Sequence, residues 1–171
     1  MLSKIKSLRE LFEIELRYAY DCERKLAEKG LPSMIEAASS PELRTALEHH
    51  LQETRGQVTR LENIFSIAGI KPSTKDNDVL DEMMSAAKDS ASNIEASPIR
   101  DAALIVNGNQ VEHYEMALYG SLVAFAKNLG LQTAVGPLEE TLKEEKAADA
   151  KLTQIAQTSM NAKAAHAQTA D

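Results

Sequence analysis

Hydrophobic residues recur at intervals of three and four along most of this chain. That spacing places them on one face of an α-helix, so it predicts a protein built from long amphipathic helices. The first predicted helix begins after Ser3 and ends at Lys29-Gly30, a basic residue followed by a glycine, and a short helical segment over 31–38 follows it. The apolar positions of this helix are Ile5, Leu8, Leu11, Phe12, Ile14, Leu16, Ala19 and Leu26.

Serine-proline pairs predict the starts of two further long helices. In Ser39-Ser40-Pro41-Glu42, a serine cap, a proline in the first turn and a Ser39–Glu42 capping box predict a second helix that runs to Ala68. Ala96-Ser97-Pro98 predicts a third helix that reaches Gly130. Both predicted helices are followed at once by a glycine or end on one, as helix C-termini commonly do.

The connection between the second and third helices is long. It contains a polar loop over 71–78 and a middle helix over 79–93 that we interpret as a crossover element. A fourth helix has Pro137 near its start and ends near Thr158, and the polar, Ala-rich segment 161–171 is predicted to be disordered. The pattern therefore predicts one domain over 1–160, an all-α, ferritin-like four-helix bundle whose long crossover carries a short extra helix.

Composition and charge narrow the classes of partner. The 171 residues suit one domain, and a hydrophobic fraction of 43% is enough for a sizeable core. The net charge of −7 argues against nucleic acid and against anionic membrane surfaces, because both require clusters of Lys and Arg. Metal cations or a neutral partner are compatible with that charge.

The single cysteine, Cys22, cannot form an internal disulfide bond, which fits a reducing compartment. The first residues contain no apolar run of the length that a signal peptide needs, and no segment approaches the length of a membrane span. We therefore expect a soluble, cytoplasmic protein.

Carboxylates and histidines lie inside the predicted helices, among apolar neighbours. Glu112 and Glu115 are three residues apart, so they share a face of the third helix. An inward-pointing carboxylate on each of several helices is how a four-helix bundle builds a site for two metal ions. The predicted ligands are Glu15, His50, Glu53, Glu112, Glu115, Glu145 and Asp149.

The chemistry of these side chains favours iron or manganese. A buried carboxylate must be protonated, be paired or bind a cation, and both metals accept carboxylate oxygen and imidazole nitrogen. The alternative for every one of these residues is a solvated or ion-paired surface position, in a structural or protein-binding bundle. The sequence leaves open the choice of Glu15 or Glu23 on the first helix and of Glu144 or Glu145 on the last.

Tyrosines and two further histidines are predicted as possible neighbours of the metal ligands. Tyr18, Tyr20, Tyr114 and Tyr119 lie on helices with predicted ligands, where a phenol can hydrogen-bond a ligand carboxylate or simply pack at the end of the bundle. His49 and His113 are expected at the surface or behind the ligands.

Four segments of the chain resemble the YciE/YciF family. They are 15–23, 50–54, 111–115 and 144–149, and the most specific is Glu112-His113-Tyr114-Glu115 with Tyr119-Gly120 after it. The resemblance implies a ferritin-like bundle that forms a homodimer and is associated with bacterial stress responses, in a family without an established activity. Its relatives by fold, among them rubrerythrin, bacterioferritin and manganese catalase, hold two metal ions between their helices.

The chain departs from rubrerythrin and bacterioferritin, which carry Glu-x-x-His on their second and fourth helices. Glu53 is followed by Gly56 and Gln57, and Glu145 by Ala148 and Asp149, so those histidines are missing. The sequence therefore predicts a carboxylate-rich site for two iron or manganese ions per chain, with oxygen or peroxide chemistry as an extension. A non-enzymatic bundle with a degenerate site is the alternative.

Overall fold

The computed structural model describes residues 4–167, which form an α-helical bundle and contain no strand. Four long helices make the bundle: α1 (Leu8–Lys25), α3 (Pro41–Ile67), α5 (Pro98–Asn128) and α6 (Gln132–Ile155). Three shorter helices are α2 (Leu31–Ala37), α4 (Asp78–Asn93) and α7 (Asn161–His166). The predicted fold class, a ferritin-like bundle with an extra helix in a long crossover, is confirmed.

Helix α4 lies on the crossover between α3 and α5. Asn77 caps it by accepting a hydrogen bond from the amide of Leu80, whose side chain is fully buried. The side-chain amide of Asn77 also donates to the hydroxyl of Tyr114 on α5 at 2.8 Å. The crossover is therefore fixed to the bundle at its N-terminal end.

Helix α1 begins at Leu8, so the predicted start after Ser3 is wrong, and Ser3 itself lies outside the described residues. Ser7 is the N-cap and accepts a hydrogen bond from the amide of Glu10, while the Glu10 carboxylate accepts one from the amide of Lys6. This pairing satisfies two amides at the helix start. Ile5 precedes the helix and is half exposed, so it does not belong to the apolar face.

The predicted stop at Lys29-Gly30 is also wrong. The helical path continues from α1 through a π-helical turn, Leu26–Gly30, into α2, and Gly30 has helical dihedral angles. Pro32 has no amide hydrogen, so it fits in the first turn of a new helix but not within an unbroken one. The wider π turn changes the register of the chain just before that proline.

The remaining long helices begin and end close to their predicted limits. Ser40, rather than Ser39, caps α3, because its hydroxyl accepts a hydrogen bond from the amide of Leu43. The amides of Ser39 and Ser40 both donate to the carboxylate of Asp101 on α5. Gly69 and Gly130, which follow α3 and α5, each have a φ of 70°, the left-handed conformation that glycine adopts without strain.

The C-terminal segment is helical beyond the predicted end of the fourth helix. After α6, a π-helical turn over Ala156–Met160 leads into α7, and Met160 is buried. Residues 161–166, the first part of the predicted tail, are therefore helical. The predicted disorder of 168–171 falls outside the described residues.

The core consists of two apolar layers. One layer surrounds Phe12 and Phe65 near one end of the bundle, and the other surrounds Leu43 and Leu104 near the opposite end. Every long helix contributes to both layers, and each has buried polar residues between its two contributions. This arrangement creates a polar level inside the bundle, and the candidate site lies there. No helix within 4–167 has the combination of length and apolar character that crossing a bilayer requires.

Candidate metal centre

Residues of α1 and of the first position after it that face the core follow a spacing of four and three. Phe12, Leu16, Ala19 and Leu26 are buried, and Glu23 takes the place between the last two. Its side chain is fully buried. Glu15 lies one position before this stripe and is only partly buried, so the structure selects Glu23 as the inward acid of α1.

The core-facing stripe of α3 carries polar residues in its middle. Between Leu47 and Leu61 the buried positions include His50, Thr54 and Gln57. Thr54 donates its hydroxyl to the carbonyl of His50 at 2.9 Å, within the helix. His50 and Gln57 are therefore the α3 groups available inside the bundle.

Helices α5 and α6 supply three more buried acids. Glu112 and Glu115 lie on the inner face of α5, and Glu145 lies on that of α6 between Thr141 and Leu152. Glu144 points to the side, where Arg60 donates two hydrogen bonds to its carboxylate. Glu145, rather than Glu144, is therefore the inward acid of α6.

Four of these residues form one tight group. One ligand atom from each of His50, Glu112, Glu115 and Glu145 lies within 4.8 Å of the others, and all four side chains are buried. Glu23 adjoins the group, because its carboxylate is close enough to Glu112 and Glu115 for their charges to raise its pKa or theirs. We call these five residues the inner cluster. Four helices contribute to it, so the fold brings together groups that are far apart in sequence.

The imidazole of His50 has a different carboxylate at each nitrogen. Its Nε2 atom lies 3.2 Å from Oε1 of Glu112 and 3.7 Å from Oε2 of Glu145, while its Nδ1 atom lies 3.4 Å from Oε2 of Glu53. A metal-binding histidine usually binds the ion through one ring nitrogen and donates a hydrogen bond from the other to a carboxylate. His50 has a carboxylate, Glu53, on its Nδ1 side, and its Nε2 atom faces the other acids of the cluster.

Each acid of the inner cluster has one oxygen atom that meets no N–H or hydroxyl donor among the described residues. These buried atoms are Oε2 of Glu23, Glu112, Glu115 and Glu145. A buried carboxylate oxygen without a donor is unfavourable by several kcal/mol unless a proton or a cation meets it. Protons or cations at these oxygen atoms would therefore stabilise the inner cluster.

Burial and mutual repulsion change the acidity of the cluster. Burial raises the pKa of Glu23 to about 7, although a hydrogen bond from Tyr119 opposes the shift. Burial and neighbouring carboxylates raise the pKa values of Glu115 and Glu145 well above the usual range. For His50, burial lowers the pKa, but hydrogen bonds with Glu112 and Glu53 outweigh burial and raise it well above its ordinary value. Without a metal ion, the cluster thus retains protons at neutral pH.

Neutral side chains hold the acids in place. The amide nitrogen of Gln57 donates to Oε1 of Glu145 at 2.5 Å and to Oε2 of Glu144 at 3.0 Å. Tyr119 donates its hydroxyl to Oε1 of Glu23. The thiol of Cys22 lies 3.4 Å from Oε1 of Glu115. The cluster acids Glu23 on α1 and Glu145 on α6 are therefore each oriented by a hydrogen bond.

Comparison with known proteins identifies the family. A family model described as a domain of unknown function, DUF892, matches residues 7–165. The chain belongs to this family. Among curated DUF892 relatives, protein YciF of Escherichia coli K12 is 35% identical over 161 residues, which cover 94% of this chain and 96% of YciF. The resemblance to the YciE/YciF family is confirmed.

Solved structures agree with this DUF892 assignment. The E. coli stress protein YciF is similar with a TM-score of 0.87 and 34% identity, covering 92% of this chain and 99% of that one. YcfI from Rhodopseudomonas palustris, described as a candidate structural protein, has a TM-score of 0.86 and 38% identity, covering 90% and 97%. A Xanthomonas campestris protein, with a TM-score of 0.73 and 22% identity over 95% and 100%, shows the shared fold.

Three of the ligands predicted from the sequence lie outside the inner cluster: Glu15, Glu53 and Asp149. Glu15 lies eight residues before Glu23, about 12 Å along the helix axis. Asp149 accepts a hydrogen bond from the side-chain amide of Asn109 at 2.9 Å and lies 3.3 Å from Nε2 of His113. Glu53 stands behind His50, on the Nδ1 side, with its carboxylate partly exposed. Each lies one helical position beside its core-facing stripe.

The tyrosines and histidines that were predicted as possible neighbours of the ligands lie in different places. Tyr119 reaches the inner cluster, whereas Tyr20 donates to Glu62 and Tyr114 accepts from Asn77. His49 and His113 are exposed, as expected. The sequence reasoning did not single out Gln57 as a contributor. Its position on the α3 stripe, two helical turns after His50, is the signal that could have identified it.

Proposed function

We propose that this protein holds two divalent iron or manganese ions inside the bundle. The ligands are the inner cluster: Glu23, His50, Glu112, Glu115 and Glu145. The observation that carries the proposal is the set of four buried carboxylates, each with an oxygen that meets no N–H or hydroxyl donor among the described residues, around one imidazole.

The charges of the cluster support two ions rather than one. Four ionised carboxylates carry four negative charges, and His50 offers the nearby nitrogen ligand when its imidazole is neutral. Two divalent cations balance that charge, whereas a single divalent cation leaves two negative charges buried. Carboxylate oxygens with one imidazole nitrogen are also a donor set that suits iron and manganese.

Neighbouring side chains perform the positioning. Glu53 accepts from Nδ1 of His50, which fixes the tautomer that leaves Nε2 free to bind. Gln57 donates a hydrogen bond to one oxygen of Glu145, and Tyr119 donates one to an oxygen of Glu23. These bonds fix the orientation of both carboxylates, so the second oxygen of each is available to an ion. Asp149 and Glu15, outside the cluster, are not part of the proposed ligand set.

A bound iron or manganese pair would supply reversible electron exchange with oxygen or peroxide. Because the E. coli relative YciF is described as a stress protein, we propose that this chemistry serves a stress response. The inner cluster would bind the ions and release its protons to solvent as they bind, and the two apolar layers would limit the access of water. The homodimer and the cytoplasmic location stay predictions from the sequence.

Elemental analysis tests the proposal. Protein purified without chelators is loaded with iron(II) or manganese(II) under anaerobic conditions, desalted and analysed for metal. We expect about two ions per chain for the native protein, as two-metal carboxylate sites hold. Glu145→Gln should lose metal, and Glu144→Gln, its neighbour outside the cluster, should keep it.

Two results would contradict the proposal. Native protein that retains no metal after loading would favour a structural bundle with a degenerate site, the role suggested by the description of the R. palustris relative. Equal metal retention by Glu145→Gln and native protein would place the metal elsewhere.

A further inference from the structure

A cleft between α3 and α6 leads to the inner cluster. Its volume is about 630 Å³, and its walls include small side chains, Ala46 on α3 with Ala147 and Ala148 on α6. His50 and Glu112 also line it, although both are more than nine-tenths buried. Three other surface cavities in the described part of the chain are lined by no residue of the cluster.

A continuous series of metal-binding groups runs from the surface along this cleft. His49, whose side chain is 75% exposed, places Nδ1 3.3 Å from Oε2 of Glu53. The same Glu53 oxygen lies 3.4 Å from Nδ1 of His50, and the opposite nitrogen of His50 reaches Glu112 at 3.2 Å. All four residues line the cleft, so each group is one short step from the next.

The inner end of this series has a group without a partner. Oε2 of Glu112 is buried and meets no N–H or hydroxyl donor among the described residues. A cation that leaves water in stages loses less hydration free energy at each stage if a protein ligand replaces each lost water. Imidazole nitrogen followed by carboxylate oxygen provides such replacement at the mouth of the cleft.

We propose that His49 and Glu53 form an outer cation-binding site, through which divalent metal ions pass along the α3–α6 cleft to the inner cluster. The inference rests on the proposed function, because it gives a route to that metal site. The outer site binds the ion briefly through His49 and the partly exposed carboxylate of Glu53. The small side chains of Ala147 and Ala148 keep the route open.

Timed uptake of manganese(II) tests the route. Metal-free protein is mixed with manganese(II), chelator is added at set intervals, and the metal retained per chain is measured after desalting. Two variants change the route at different points: His49→Ala removes the outer ligand, and Ala148→Leu fills the cleft. Glu48→Gln is the matched control, since Glu48 is an exposed acid beside His49 that does not line the cleft.

We expect His49→Ala and Ala148→Leu to take up manganese several-fold more slowly than the native protein and the control, and to reach the same final occupancy. Native uptake rates in both variants, with normal final occupancy, would overturn the route while leaving the inner metal site intact. Failure of the native protein to retain manganese at any time would overturn the proposed function, and the route with it.

Discussion

The hydroxyl of Tyr119, on α5, donates a hydrogen bond to Oε1 of Glu23, on α1. Both side chains are almost fully buried, and they are 96 positions apart in the chain. This contact connects two helices at the level of the inner cluster and gives one oxygen of a buried acid its donor. Its role can be measured without any metal.

Replacing Tyr119 with Phe should destabilise the metal-free protein by about 1–3 kcal/mol at pH 8, because the ionised Glu23 then loses a buried hydrogen bond. The loss should be smaller at pH 5, where Glu23 is protonated. Urea unfolding at the two pH values measures both quantities. The control is Tyr20→Phe, which removes a hydrogen bond to the more exposed Glu62. An effect of equal size at both pH values would contradict a direct role of the Glu23 charge.

Metal-free protein should lose stability as the pH rises from about 5 to 8. The folded pKa of Glu23, about 7, is above the ordinary 4.5, so its contribution is complete below pH 4.5 and is lost as the pH passes the folded value. The raised pKa of His50 acts in the same direction above its ordinary 6.5. Thermal unfolding in chelator should show a Tm lower by about 5 °C or more at pH 8. A Tm that rises over this range would contradict the buried, proton-holding cluster.

Metal loading should release protons. Glu115, Glu145 and His50 have pKa values raised above their ordinary ranges, so the metal-free cluster binds protons that metal ions must displace. We expect about two to four protons per chain on full occupancy, measured by calorimetry in buffers of different ionisation enthalpy. The apparent affinity for the metal should rise with pH, because fewer protons then have to be displaced. Metal binding without proton release would indicate that the ions bind at exposed groups instead.

Glu115→Gln and Glu112→Gln should differ in stability although both should lose metal. Glutamine at 115 resembles the protonated acid and removes a source of repulsion, so metal-free stability at pH 8 should be unchanged or higher by about 1 kcal/mol. Glutamine at 112 removes the carboxylate 3.2 Å from His50, and should destabilise the protein by about 1–3 kcal/mol at pH 6. Urea unfolding of both variants in chelator distinguishes them. Equal changes in stability would contradict the pairing of Glu112 with His50.

The sequence left open whether Glu15 or Glu23 is the metal ligand on α1, and a variant of each acid distinguishes the two. Glu23→Gln should reduce metal to below two ions per chain, whereas Glu15→Gln should leave the metal content unchanged, because Glu15 is outside the cluster. Elemental analysis after loading gives the answer in one experiment. Metal lost from Glu15→Gln and retained by Glu23→Gln would reverse our assignment of the inward face of α1.

Several features of the fold and site were determined by the sequence itself. The spacing of apolar residues predicts four long helices and the crossover helix, and the serines before Pro41 and Pro98 predict two helix starts. Glu23, Glu112, Glu115 and Glu145 are buried, whereas Glu15 and Asp149 are only partly buried. Helical periodicity alone does not decide that difference, because Glu15 lies three residues after Phe12 and Asp149 lies four residues after Glu145.

Only the tertiary structure decided which inward groups meet. Periodicity fixes the direction of a side chain around its own helix, but not how far one helix is shifted along another. That shift follows from the packing of the two apolar layers, which brings Tyr119 to Glu23 and His50 to Glu112. Packing also left Glu53 outside the inner cluster, on the Nδ1 side of His50 and in the wall of the α3–α6 cleft. The sequence determined the helices and the acids that they carry, and the packing of the helices determined which of these acids are buried and the site that they form.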